Sequence, residues 1–197
     1  MAHARLKNIL SPGAHLQERF VPDYNEVSDI VEQLKKMGYK IVLTEGVFDL
    51  LHEGHSLYLE KARSHGDILI VGVDSDELTR KRKGPDRPIV PQNERINMLL
   101  HLRHVDIVTL REIAHGHEKL IHLVKPDVLI VSESTKDFTP AQKAEYKSVC
   151  GDVITLPPQA TTSTTARIRN LTIEGANKLA TEITKLTSDF VEKIKKG

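Results

Sequence analysis

Short apolar runs alternate along this chain with stretches whose apolar residues recur every three or four positions. Residues 41–43, 68–73, 106–110, 127–131 and 153–156 are brief and rich in Val, Ile and Leu, the pattern of strands buried on both faces. Between them, residues 56–65, 92–103, 118–124 and 141–149 carry helical spacing, with Leu57, Tyr58, Leu59 and Ala62 in the first and Ile96, Leu99 and Leu100 in the second. The last of these helices has Thr139 as its N-cap, Pro140 at its first position and Gly151 beyond its end. Strands that alternate with helices predict a parallel sheet covered on both faces, a Rossmann-like, doubly wound, five-stranded α/β fold. Ligands of such sheets bind outside the carboxyl ends of the strands, at the point where strand order reverses.

Helical patterns extend the core at both ends. Val27, Ile30, Val31, Leu34 and Met37 recur at helical spacing after Asn25, and Gly38 ends the run. Leu179, Ile183, Leu186, Phe190 and Ile194 form a second amphipathic stripe. The expected organisation is an N-terminal helical extension over 1–38, a core domain over 39–170 and a C-terminal amphipathic helix over 171–197. Each stripe is read first as covering its own domain, with a homodimer contact as the second reading.

Composition narrows the function. The 197 residues, 39% hydrophobic and 28% charged, are enough for one sizeable core. A net charge of +1 supplies no general drive toward nucleic acid or an anionic membrane. No apolar stretch reaches the length of a bilayer span and no secretion signal opens the chain, so the cytoplasm is the expected compartment. Cys150 is the only cysteine, which excludes an intramolecular disulfide and a cysteine-based zinc cluster. The ten histidines include His101, His104, His115, His117 and His122 at metal-compatible spacings, but without an H-E-x-x-H helix a dedicated zinc site is not expected.

Three segments carry chemistry. The first runs from Thr44 through Gly46-Val47-Phe48-Asp49 to His52-Glu53-Gly54-His55, joining the first strand to the following helix. His52 and His55, one turn apart, face the same way at a helix N-terminus, where free amides and the dipole favour an anion. Gly54 lets a phosphate approach closely. Alone, such a turn reads as ordinary capping; its place between strand and helix, after Gly-x-Phe-Asp, favours a site that stabilises charge on a phosphoryl group. The second segment, residues 79–88, sets Arg80, Lys81, Arg82 and Lys83 before a Gly-Pro-Asp-Arg-Pro stretch and is expected to form a basic loop over the site. The third, residues 161–169, clusters hydroxyls and arginines at a helix start after Pro157 and Pro158, a cradle for terminal phosphates or a plain N-cap.

Together, Gly46-Val47-Phe48-Asp49, His52-Glu53-Gly54-His55, Lys83-Gly84-Pro85-Asp86-Arg87-Pro88 and Ser163-Thr164-Thr165 resemble the signatures of the cytidylyltransferase-like nucleotidyltransferases. Within them, the chain is most similar to heptose-1-phosphate adenylyltransferase domains. The resemblance implies transfer of a nucleoside monophosphate, AMP from ATP favoured, to a phosphorylated sugar or alcohol with release of pyrophosphate. It implies His52, His55 and Lys83 as catalytic groups. Gly46, Val47, Phe48, Asp49, Gly54, Ser163, Thr164, Thr165 and Arg167 are implied to hold the nucleotide, and Asp74, Arg87, Arg95 and Glu133 to lie on the acceptor side. Mg²⁺ is expected to arrive with the nucleoside triphosphate, with no membrane or nucleic-acid partner. The alternatives are a CTP-dependent enzyme acting on glycerol or ethanolamine phosphate and a nucleotide-binding module without turnover. Three departures from the family pattern bear on the acceptor: Glu45 and Asp74 stand where Asn is usual, and Ser132-Glu133 replaces a glycine-rich turn. Arg167 fills an apolar slot of the pattern, so Arg167 and Arg169 both remain candidates for the phosphate contact.

Overall fold

A computed structural model of the chain describes residues 2–11, 16–116, 118–133, 139–160 and 164–196. Two helices, α1 (Ala2–Ile9) and α2 (Tyr24–Lys36), precede the first strand, β1 (Ile41–Gly46). The core continues with α3 (Glu53–Arg63), β2 (Ile68–Asp74), α4 (Asp76–Lys83), α5 (Gln92–Leu100) and β3 (Ile107–Arg111). Next come α6 (Lys119–Val124), β4 (Val128–Ser132), α7 (Pro140–Lys147), β5 (Asp152–Leu156) and the long α8 (Thr164–Lys196). All five strands are parallel, in the order β3-β2-β1-β4-β5. Strand order therefore reverses beside β1, the strand that feeds the histidine turn.

Alternate strand positions feed two cores. Ile41, Leu43, Ile70 and Leu129 pack against Ile30 and Leu34 of α2, Leu120 of α6 and Tyr146 of α7. Val42, Leu69, Val71 and Ile130 pack on the other face with Leu59 of α3 and Ile96 and Leu99 of α5. α2 is thus integral to a core. The N-terminal segment also docks on the sheet edge, where Phe20 bridges Val108 in parallel and Val21 N–H donates to Val108 O at 2.9 Å.

Several boundaries differ from the sequence expectation for local physical reasons. Helix α2 begins before Asn25, because Asp23 is the cap and accepts from the Asn25 and Glu26 amides. α5 stops at Leu100 rather than at residue 103. Arg19, 81 residues away in sequence, donates to Leu100 O at 2.9 Å and takes an end carbonyl that a further turn would use. Thr139 does cap α7 with Pro140 at its first turn, and Gln142 closes a capping box.

The chain divides into two compact units, 1–161 and 162–197. In the second, α8 is a single helix of 33 residues on which Leu179, Ile183 and Leu186 are exposed. Among the described residues no helix is long and apolar enough to cross a membrane.

Candidate active site

The turn after β1 is built on an unusual backbone. Phe48 and Leu50 both adopt left-handed conformations, with φ of 53° and 48°. For residues with a Cβ this costs on the order of 1–3 kcal/mol each and persists only where surroundings enforce it. What it achieves is visible between them, where Asp49 is turned inward and 3% exposed. Its Oδ2 accepts from the Ile89 amide and its Oδ1 from the Val90 amide, both at 2.9 Å, and Arg87 Nε lies 2.8 Å from Oδ2. Asp49, expected at the nucleotide, ties the 84–91 loop to the histidine turn. Gly46 is close-packed: a Cβ there would meet the Phe48 ring at 3.1 Å.

His52 is the N-cap of α3, and its Nδ1 accepts from the Gly54 amide at 3.1 Å. An accepting Nδ1 leaves the proton of the neutral ring on Nε2, so that nitrogen is the donor of the ring. A Cβ on residue 54 would lie 2.9 Å from His52 Cε1. Gly54 is therefore required by the cap as well as by any close anion. The His55 ring packs on that of His52, with centroids 4.1 Å apart, and tilts against Phe48 at 5.7 Å. Burial, then the neighbouring charges of His52 and Lys83, draw the His55 imidazole down to about 4. Its Nδ1 is buried without a hydrogen-bond partner.

The basic segment folds otherwise than expected. Arg80 to Lys83 form the last turn of α4 rather than a loop; Ser75 caps the helix at its start, and Gly84, at φ 96°, ends it. Lys83 stands exposed at that end. Partial desolvation, then Arg87 and Arg82, lower its ammonium pKa. The loop beyond contains the cis Arg87–Pro88 peptide.

Two residues placed on the acceptor side turn inward. Arg95 is 1% exposed; it donates to Val90 O at 2.9 Å and to Val47 O, and pairs with Asp76 at 2.7 Å. It braces the turn from behind and is not a surface residue. Asp74 is wholly buried and pairs with Arg111 at 2.6 Å and with Arg82. Glu133 is exposed beyond β4, its amide donating to Leu156 O. Ser163 lies outside the described residues; Thr164 and Thr165 open α8, which also carries Arg167 and Arg169.

Arg111 went unnoticed in the sequence. It is 3% exposed, and its Nε lies 3.2 Å from Glu45 Oε1 while its Nη1 reaches Asp74. The available signal was the pair of acidic departures at 45 and 74, since two buried carboxylates require a buried cation. Burial, opposed by Arg111, pushes the Glu45 carboxyl up to about 7.

Among the described residues no group of three or more His, Cys, Asp or Glu side chains could hold a metal ion. Asp49 and Asp74 are committed to arginines and amides, so a divalent cation would fit this site as a companion of the nucleotide phosphates.

A family model described as cytidylyltransferase-like matches residues 43–170. The bifunctional protein HldE of a Nitratiruptor species is 48% identical over 113 residues, 57% of this chain and 24% of that protein. HldE of Desulfatibacillum aliphaticivorans is 36% identical over 146 residues, 74% of this chain and 30% of that protein. The chain thus spans less than a third of the length of either relative. Among solved structures, the lipopolysaccharide core biosynthesis protein from Thermoplasma volcanium GSS1 superposes with a TM-score of 0.56 at 28% identity, covering 62% of this chain and all of that one.

Proposed function

The chain belongs to the cytidylyltransferase-like family, and from that premise we propose that it transfers AMP from ATP to the phosphate of a sugar phosphate. A sugar 1-phosphate such as heptose 1-phosphate is the favoured acceptor. The observation that carries the proposal is the packed His52–His55 pair at the start of α3, beside the strand where sheet order reverses. In the reaction an acceptor phosphate oxygen attacks the α-phosphorus, the bond from that phosphorus to the bridging α–β oxygen breaks, and pyrophosphate departs with the bonding electrons. No side chain need form a covalent intermediate, because placement and charge stabilisation suffice.

In this reading His52 donates from Nε2 to the α-phosphoryl oxygens. His55 is neutral in the free site, and the approach of a triphosphate favours its protonated, doubly donating form. Lys83, at the end of α4, neutralises the acceptor phosphate, with Arg87 beside it on the loop that Asp49 anchors. By their resemblance to the family pattern, Ser163, Thr164 and Thr165 are assigned to the departing pyrophosphate. Mg²⁺ supplies charge neutralisation on the triphosphate. The named partners of the reading are small molecules, and the HldE and lipopolysaccharide-core relatives support a sugar as the acceptor class.

The test is pyrophosphate release with Mg²⁺, crossing ATP and CTP with sugar 1-phosphates, glycerol 3-phosphate and ethanolamine phosphate. Release is expected with ATP and a sugar 1-phosphate. Faster release with CTP and a polyol phosphate would replace this assignment with cytidylyl transfer.

A further inference from the structure

The carboxyl ends of β1, β2 and β3 carry a buried charged group that the transfer chemistry leaves unexplained. Glu45, Asp74 and Arg111 come from three adjacent strands. Register opposes Glu45 to Gly72, and Gly72 to Thr109, so Arg111 must cross β2 to reach Glu45. Gly72 makes that crossing possible: a Cβ there would lie 2.8 Å from Arg111 Cδ and 2.7 Å from Leu120 Cδ2. Arg82 of α4 pairs with the other side of Asp74. When Glu45 is ionised, two carboxylates against two guanidiniums leave the cluster formally neutral.

Its direction follows from strand alternation. Thr44 bonds Tyr58 of α3 at 2.7 Å and so faces the histidine side of the sheet; Glu45, the next residue, faces the other side. In-line transfer sets the attacking and leaving oxygens on opposite sides of the phosphorus. With the triphosphate held at the α3 terminus, an acceptor that approaches past the carboxyl end of β1 meets Glu45. Of the two carboxylates only Glu45 can be touched, its side chain being 15% exposed against 0% for Asp74. Its Oε1 is itself buried beside Arg111 without a hydrogen-bond partner, so the exposure belongs to the rest of the side chain.

We propose that Glu45, positioned by Arg111 across Gly72, is the specificity residue for the acceptor and selects phosphorylated compounds that present donor hydroxyls to its carboxylate. The inference rests on the transfer reading above. The neutral cluster explains how a carboxylate can line a site for an anionic substrate: Arg111 and Arg82 cancel its repulsion, while the carboxylate oxygen away from Arg111 can still accept hydrogen bonds from hydroxyls. An Asn at this position would offer a single, uncharged acceptor.

Acceptor binding, measured without turnover, separates this inference from the transfer reading. Glucose 1-phosphate, mannose 1-phosphate, heptose 1-phosphate and methyl phosphate are titrated calorimetrically into the whole chain holding a non-hydrolysable ATP analogue. The wild type is expected to bind at least one sugar phosphate roughly tenfold or more tighter than methyl phosphate, the scale of a charge-assisted hydrogen bond. Glu45→Gln and Glu45→Asn should bring that preference below about threefold while binding of the ATP analogue is unchanged. Using two variants of different size guards against a folding failure in one, and a thermal melt verifies each. A wild type without the preference, or variants that keep it, would overturn the inference. A preserved preference without pyrophosphate release from any acceptor would instead sink the transfer reading alone.

Discussion

His55 is held in a state that costs stability in acid. Its folded pKa near 4 lies below the ordinary value of 6.5, so between those values the unfolded chain binds a proton that the folded chain refuses. This residue's contribution to stability is therefore lost as pH falls from about 6.5 toward about 4. Glu45, raised to about 7, acts in the opposite sense over much of the same range, which makes a difference measurement the informative one. Urea unfolding at pH 7.5 and pH 5.5 should show a larger acid-side loss in the wild type than in His55→Gln; equal losses would contradict the burial argument. For activity, His55→Ala is expected to lower kcat by on the order of a hundredfold, because a donor aimed at developing charge is removed. The ATP dissociation constant should change far less. An unchanged kcat would remove His55 from the chemistry.

At the scale of elements, the site is a clamp assembled from three segments. The β1–α3 turn presents the histidines, α4 presents Lys83, and the loop between α4 and α5 runs back to the turn through Asp49. The start of α5 locks the start of α4, since Gln92 Oε1 accepts from the Asp76 amide at 2.9 Å and Arg95 pairs with Asp76. Asp49→Asn removes the charge opposite Arg87 and leaves a single carbonyl acceptor for two amides. Hydrogen exchange at the Ile89 and Val90 amides is then expected to quicken by about tenfold or more, with a stability loss of about 1–3 kcal/mol. Exchange at wild-type rates would show that the loop holds without Asp49.

Across the whole molecule, the sheet order makes neighbours of groups that are far apart in sequence. Alternation of Val, Ile and Leu runs with helical spacing was enough to specify five parallel strands and two covered faces, because strands buried on both faces read as short continuous apolar runs and the helices between them supply the parallel crossovers. Local chemistry likewise disclosed the histidine turn, since a strand, a glycine and a helix cap lie within one short stretch. The α7 capping box was legible for the same reason. Side-chain direction was not legible. Asp74, Arg95 and Asp49 looked from sequence like ligand contacts, and only the packing of β3, α4 and the 84–91 loop shows that their charges meet Arg111, Asp76 and Arg87. The end of α5 depended on Arg19 from a distant turn, and the helical placement of Lys83 on the Ser75 cap and Gly84. Arg111 is the clearest case: its pairing with Glu45 exists because β3, β2 and β1 lie side by side and Gly72 has no side chain. Periodicity and caps act over a few residues, so the sequence alone determined the strands, most of the helices and the position of the histidine turn. A buried ion pair needs partners from separate strands in register, so which charges stay free for a ligand was decided only by the tertiary structure.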